Sequence, residues 1–136
     1  GAVLSPFDSY QLIRGLKTLS LRMERSTANA QEIVAFLEQS SAVKEVLYTG
    51  RGGMISFKVA DEKRIPHILN TLKVFSFAES LGGVESLITY PTTQTHADIP
   101  AEVRHSYGLT DDLLRLSIGI EDVRDLIEDL RQALEG

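Results

Sequence analysis

The chain has 136 residues, 43% of them apolar and 24% charged, with a net charge of −5 and no cysteine. This is enough apolar material for one core, so we expect a single domain over residues 1–136. The basic residues form no nucleic-acid-binding stripe, and no apolar run approaches the roughly 20 residues of a membrane span. Without cysteine there is no disulfide framework or thiolate metal site, and a cytoplasmic location is the default expectation.

A long helix is the first predicted element. Ser5 can cap its start, Pro6 suits the first helical position and Asp8 lies three residues after the cap. The helical spacing of the apolar residues that follow predicts a stripe packed in the core rather than a ligand-binding set. This stripe consists of Leu12, Leu16, Leu19 and Met23. The more polar residues around Ser26 predict a bend or break. The apolar pattern resumes further along at Ile33, Phe36 and Leu37.

A β-hairpin is predicted next. The segments "AVKEVLYT" (42–49) and "MISFKVA" (54–60) have the composition of strands, and the second alternates apolar and polar residues. Three glycines within residues 50–53 suit a tight connection. A phosphate-binding loop is the alternative, but such a loop normally leads into a helix, and a strand follows here. We therefore predict a hairpin.

The rest of the chain predicts helices alternating with short strands. In chain order these are a helix capped by Asp61, strands at 74–77 and 86–90 around the Gly82-Gly83 turn, a short helix between Asp98 and Gly108, a strand at 113–119 and a final helix. The apolar stripe of the final helix is formed by Val123, Leu126, Ile127, Leu130 and Leu134. Short strands joined in pairs favour a small antiparallel or mixed sheet with helices on one face, which is an α+β fold.

Arg115 is the most informative single residue, because it lies in the apolar strand "LLRLSIG". Alternation along a strand places Leu114 and Leu116 on one face and Arg115 with Ser117 on the other. A guanidinium in such a strand seldom stays unpaired, and its planar fork suits a carboxylate. An internal ion pair, which is the commoner arrangement, or exposure on an open sheet face is the alternative. The candidate internal partners are Glu79, Glu85 and Glu121.

The histidines and nucleophiles of the chain define no catalytic centre. His67, His96 and His105 are far apart, and no helix carries two of them at metal-ligand spacing. The chain has no thiol and no Gly-x-Ser-x-Gly elbow. We therefore expect neither a metal site nor a self-contained set of catalytic residues.

Four segments together resemble the C-terminal domain of one enzyme family. They are "SPFDSYQLIRGLKTLSLRMERSTANA", "RGGMISF", "FAESLGGVESLITYPTTQTHADIP" and "LLRLSIGIEDVRDLIEDL". The family is that of the pyridoxal-phosphate (PLP) enzymes of cysteine and methionine metabolism, the transsulfuration enzymes. The resemblance spans practically the whole chain in the same order. It implies a C-terminal domain of fold-type I PLP enzymes, present here as a fragment of a longer enzyme.

The resemblance also implies roles for individual residues. Arg115 matches the arginine that binds the α-carboxylate of the amino-acid substrate. Ser80 matches a serine beside the cofactor and the substrate, and Glu79 matches an acidic position associated with γ-type chemistry. Thr95 falls on the loop that approaches the site. Glu85 is expected to be a structural partner, either for Arg115 or for a neighbouring amide.

Among the family's activities, the resemblance implies cystathionine γ-synthase, which joins an O-acylated homoserine to cysteine by γ-replacement. Cystathionine γ-lyase and β-lyase are the alternatives within the family, and a non-catalytic α+β interaction module is the alternative outside it. Many members carry a longer segment between the positions of Tyr48 and Gly52, where this chain has only "TGR". This shortening restricts the branches of the family to which the chain can belong.

The resemblance implies PLP as cofactor of the full-length parent, bound to a lysine in a Ser-x-Thr-Lys setting. None of the lysines here has that setting; they are Lys17, Lys44, Lys58, Lys63 and Lys73. We therefore expect the fragment alone neither to bind PLP covalently nor to catalyse turnover. The implied partners are the missing PLP-binding domain and amino-acid substrates, within a homotetrameric parent, with no nucleic acid and no membrane.

Overall fold

The computed structural model describes residues 2–136; Gly1, the first residue of the predicted domain, lies outside the described residues. The helices are α1 Pro6–Leu16, α2 Leu19–Gln39, α3 Ile65–Thr71, α4 Ala101–Ser106 and α5 Val123–Glu135. The strands are β1 Val43–Leu47, β2 Met54–Val59, β3 Ser76–Phe77, β4 Leu87–Thr89 and β5 Leu113–Ser117. A 3₁₀ turn over Glu62–Arg64, capped by the Asp61 side chain, leads into α3. The predicted α+β fold is confirmed.

The five strands form one mixed sheet in the order β1-β2-β5-β4-β3. β5 is the central strand and pairs antiparallel with both β2 and β4. β1 and β2 form the predicted hairpin, and its turn residues Gly50 and Gly52 have positive φ. The short β3 runs parallel to β4, so residues 78–86 form a loop between parallel strands instead of the tight hairpin turn that the sequence suggested.

The hydrophobic core lies between one face of the sheet and three helices, α2, α3 and α5. Leu114 and Leu116 of β5, and Ile118 immediately after it, are the core residues of this segment, as alternation predicted. Leu113, Arg115 and Ser117 point to the other face, which we call the open face. The chain therefore keeps an apolar helical layer on one side of the sheet and leaves the polar residues of β5 on the other.

A buried carboxylate fixes the segment that leads into β3. Asp129 of α5 is almost fully buried and accepts hydrogen bonds from the backbone amides of Lys73, Val74 and Phe75, the shortest at 2.7 Å from Val74. Because a carboxylate can accept several donors at once, one side chain satisfies three consecutive amides. This contact joins the last helix to the edge of the sheet.

The helix break predicted near Ser26 is wrong. α2 runs without interruption through Ser26, which is buried and packs beside Gly53 of the hairpin. The break lies earlier, between α1 and α2, where Thr18 leaves the helical conformation. The guanidinium of Arg22 donates to the carbonyl of Gly15 at 2.9 Å and to the hydroxyl of Thr18 at 3.2 Å, which stabilises the break. The packing of Ser26 beside Gly53 outweighs the weak helix propensity of serine.

The apolar stripe predicted for the core is exposed instead. Leu12, Leu16, Leu19 and Met23 are all exposed, and α1 contains no buried residue. The prediction was wrong because the stripe assumed a covering layer within the chain, and the described residues supply none for α1. The second part of the predicted apolar pattern, which lies in α2, is correct, since Ile33 and Leu37 are fully buried.

The remaining predicted elements are present with shifted ends. The short helix predicted from Asp98 begins at Ala101, and Gly108 follows it with positive φ. Within residues 2–136, no helix is both long and apolar enough to cross a membrane. The described part of the chain likewise contains no cluster of acidic residues and histidines that could hold a metal ion.

Candidate functional site

Arg115 lies at the middle of the central strand, on the open face of the sheet. Its cross-strand neighbours are Ser56 of β2 and Thr89 of β4. Residues directly opposite one another on neighbouring strands point to the same face. Ser56, Arg115 and Thr89 therefore form a short polar row across the open face.

The guanidinium of Arg115 makes no hydrogen bond or ion pair within residues 2–136. Its Nε is buried and has no hydrogen-bond partner among residues 2–136, the one side-chain atom there with this property. A buried donor without a partner costs about 1–3 kcal/mol, so such an atom requires an explanation, and an absent ligand is one. Arg115 is therefore a candidate ligand-binding residue.

The three candidate internal partners of Arg115 do not pair with it. No ion pair in the described part of the chain involves Arg115, Glu79 or Glu85. The carboxylate of Glu121 instead accepts hydrogen bonds from the backbone amide and the hydroxyl of Ser86. The expected structural role of Glu85 is therefore not observed, and Glu121 performs a role of that kind.

Residues 79–83, which we call the 79–83 loop, are anchored on both sides of Arg115. The hydroxyl of Thr89 donates to the carbonyl of Ala78 at 3.0 Å, immediately before the loop. The amide of Gly82 donates to the hydroxyl of Ser117 at 3.3 Å, within the loop. Because Thr89 lies opposite Arg115 and Ser117 lies two residues beyond it, these contacts hold the loop beside the open face around Arg115.

Glu79 and Ser80 are the loop residues whose side chains are available to a ligand. Both are exposed, and neither makes a side-chain hydrogen bond within residues 2–136. The structure thus brings Glu79 and Ser80 to the same region of the open face as Arg115, through their anchors on β4 and β5.

Thr95 is not brought into contact with these residues. It lies in the series of turns between β4 and α4, and its hydroxyl contacts Nδ1 of His96 at 2.6 Å. No hydrogen bond in the described part of the chain connects Thr95 to Arg115 or to Ser80.

An open cleft of about 350 Å³ adjoins the 79–83 loop. Its walls come from α2, the β1–β2 connection, residues 81–83 of the loop and the end of β5. Apolar side chains of Met23, Met54 and Leu81 line it, together with the hydroxyl-bearing Ser117. The loop therefore forms one wall of a concave surface next to the strand of Arg115.

The end of the loop is fixed by a second group of residues that follow β5. Ile120 donates its amide to the carbonyl of Val84 at 2.9 Å, so the two segments run side by side. Gly119 makes the close approach possible, since an added Cβ would lie 2.1 Å from that same carbonyl oxygen. Beyond this contact, Asp122 caps α5, and hydrogen bonds from the Arg124 side chain lower the pKa of its carboxyl to about 2.

Comparison with known proteins places this geometry in a family. The sequence model of the family "Cys/Met metabolism PLP-dependent enzyme" matches residues 1–135. A protein of Bacillus subtilis (strain 168) described as cystathionine gamma-synthase/O-acetylhomoserine (thiol)-lyase is 59% identical over 134 residues, which are 98% of this chain and 36% of that protein. A cystathionine gamma-lyase of the same strain is 49% identical over 151 aligned positions, covering 99% of this chain and 40% of that protein.

A solved structure shares the fold along nearly the whole chain. The cystathionine gamma-lyase of Micromonospora echinospora superposes with a TM-score of 0.93 and 37% identity, over 98% of this chain and 39% of that one. The chain therefore belongs to the Cys/Met metabolism PLP-dependent enzyme family, as the resemblance implied. It spans little more than a third of the length of the relatives it matches.

Sequence reasoning missed the residues that position the site. Thr89, Ser117, Ser86 and Gly119 were not singled out, although each contacts the segment around the 79–83 loop. A usable signal existed for two of them, because Thr89 and Ser117 are polar residues within otherwise apolar strands, as Arg115 is. The contact between Ser86 and Glu121 joins residues 35 positions apart and leaves no local pattern.

Replacing Arg115 with Met tests whether the arginine is a binding group or a structural one. We expect the free energy of unfolding to stay the same or to rise by about 1–2 kcal/mol, because the change removes an unsatisfied buried donor and retains an apolar stem. Urea unfolding measures this. Leu116→Ala, on the core face of the same strand, is the control and should lose about 2–5 kcal/mol. A loss of similar size for Arg115→Met would show that Arg115 is structural.

Proposed function

We propose that this chain is the substrate-carboxylate-binding C-terminal domain of a PLP-dependent transsulfuration enzyme, cystathionine γ-synthase. The parent enzyme would join an O-acylated homoserine to cysteine by γ-replacement. The observation that carries the proposal is the buried, unpartnered Nε of Arg115 on the open face of a family member's sheet. A substrate α-carboxylate is the group that its planar fork binds best.

The chain's own residues would bind and orient the substrate. Arg115 would bind the α-carboxylate, and Ser80 would orient the substrate beside the cofactor. Glu79 adds a negative charge that favours γ- over β-substituted substrates, and Thr95 approaches from the loop after β4. The gain is positional, because a fixed carboxylate presents the Cα–H bond in one orientation.

The length of the aligned segments favours the synthase over the lyases. The alignment to the B. subtilis protein described as a synthase spans 134 positions, fewer than the 136 residues of this chain. The alignment to the gamma-lyase of the same strain spans 151 positions, so the lyase must contain inserted residues. The short "TGR" connection of this chain is consistent with an alignment to the synthase that is no longer than the chain itself. Cystathionine γ-lyase is the second candidate, because gamma-lyases are among the solved structures that superpose.

A substrate panel with the full-length protein tests the proposal. We expect O-acylated homoserine and cysteine to give cystathionine, with Arg115→Ala lowering kcat/KM by an amount equivalent to about 2–5 kcal/mol and raising KM steeply. The matched control is Arg124→Ala, since Arg124 is exposed and pairs only with Asp122. Cleavage of cystathionine without synthesis would identify a lyase. Unchanged kinetics of Arg115→Ala would remove the site assignment, and a full-length protein inactive on the whole panel would favour an interaction module.

The lysines of the chain do not fit a covalent PLP anchor. Such a lysine must be enclosed with the partners of the cofactor ring. Lys44 and Lys58 form ion pairs with Asp112 and Glu45, and the other three are exposed. We therefore propose that the lysine anchor belongs to another domain of the parent.

Borohydride reduction in the presence of PLP, followed by peptide mass spectrometry, tests this division of the site. We expect the full-length protein to carry its pyridoxyl group outside the 136 residues, and this chain alone to carry none. The chain has five lysines, and each can be checked for the added mass. A stoichiometric pyridoxyl group on any of the five would contradict the proposal.

The exposed face of α1 supports a contact with that other domain. Its apolar residues cover well over half of the helix circumference, and a helix of this kind is normally buried. They are Phe7, Tyr10, Leu12, Ile13 and Leu16. The superposed gamma-lyase has 61% of its chain beyond the matched part, enough to supply a covering domain. Hydrogen exchange should show that the amides of α1 are protected in the full-length protein. We also propose that the full-length protein is a homotetramer.

A further inference from the structure

We propose that Glu121 is a positioning residue for the substrate site, because its carboxylate holds Ser86, which follows the 79–83 loop, beside the segment that follows the strand of Arg115. This inference rests on the proposed function, since it concerns the same binding site. Glu121 itself would touch neither the substrate nor the cofactor.

The contacts of Glu121 form a closed set with Ser86 and Gly119. One carboxylate oxygen accepts from the Ser86 amide at 2.6 Å, and the other accepts from the Ser86 hydroxyl at 2.8 Å. The same hydroxyl accepts from the Gly119 amide at 2.9 Å. Ser86 is 1% exposed, so water does not compete for these bonds. Hydrogen bonds to a charged acceptor are stronger than neutral ones, and this pair is bidentate.

Helix α2 braces the same set from the other side. The side-chain Nδ2 of Asn29 donates to the backbone carbonyl of Glu121 at 2.9 Å and to that of Gly119 at 3.2 Å. Asn29 is 1% exposed. The backbone that carries the Glu121 side chain is therefore itself held, so that the carboxylate can act as a fixed point for Ser86.

The loop depends on this fixed point because its own residues make few contacts. Glu79, Ser80 and Leu81 are exposed, and their side chains have no hydrogen bond within residues 2–136. Their position follows from three anchors, at Ala78, at Gly82 and at residues 84–86. Only the third includes a charged acceptor. Loss of the Glu121 carboxylate would weaken this third anchor to the backbone bond between Ile120 and Val84, so we expect the loop to loosen from its C-terminal end and Ser80 to shift relative to Arg115.

The test uses Glu121→Ala and Glu121→Gln in the full-length protein. We expect Glu121→Ala to raise KM for the amino-acid substrate by about tenfold or more, with a smaller change in kcat, as for a loss of substrate binding that is shared by the ground state and the transition state. Hydrogen exchange of residues 79–86 should become faster. Glu121→Gln should lie between Ala and wild type, because its carbonyl oxygen can still accept from the Ser86 amide while its NH₂ cannot accept from the hydroxyl.

Asp129→Ala is the matched control. Like Glu121, Asp129 is a carboxylate that accepts backbone amides, but it holds residues 73–75 rather than the loop. It should lower the melting temperature without raising KM or altering exchange at 79–86. If Glu121→Ala behaves in the same way, the positioning role is wrong. If Glu121→Ala does not fold, Ser86→Ala, which removes only the hydroxyl, decides by the same two readouts.

The two proposals fail in different ways. If Arg115→Ala leaves the kinetics unchanged, the proposed function fails, and loop exchange still reports whether Glu121 holds the loop. If Arg115→Ala abolishes substrate binding while Glu121→Ala changes neither KM nor loop exchange, the proposed function stands and the role of Glu121 is refuted.

Discussion

A guanidinium without a partner among the described residues lies at the centre of the sheet, and the candidate site is arranged around it. Arg115 occupies the middle strand, where both neighbours are hydrogen-bonded, so its backbone cannot move without disturbing the sheet. Its buried Nε has no acceptor within the described residues. Rigid backbone and unsatisfied donor together are features of a preorganised binding group, which keeps its geometry before the ligand arrives.

The two faces of the sheet divide stability from binding. One face is packed by helices α2, α3 and α5 and contains the core. The other presents the polar row around Arg115 and the 79–83 loop, which is anchored by Thr89 and Ser117. Thr89 and Ser117 belong to the same strands as the core residues Ile88 and Leu116. Because the core holds these strands in place, it also holds the anchors of the loop. A loop of exposed residues can then hold a defined place.

The sequence predicted those features that depend on local pattern. Strand alternation identified the side of β5 on which Arg115 lies, and capping residues located the start of α1. The prediction that the stripe around Leu16 packs in the core was wrong, because helical periodicity identifies an apolar face but not what covers it. The contact of Glu121 with Ser86 could not be predicted, since it joins distant residues by a register that only the folded sheet defines.

The membership of the chain in the PLP-dependent family is established by its match over residues 1–135, whereas its place in the reaction depends on Arg115. The most direct measurement is a crystal structure of the full-length protein with a bound, unreactive amino-acid analogue. The account predicts that the analogue's α-carboxylate accepts hydrogen bonds from the Arg115 guanidinium, including the buried Nε. A carboxylate bound elsewhere, with Nε still lacking an acceptor, would contradict it.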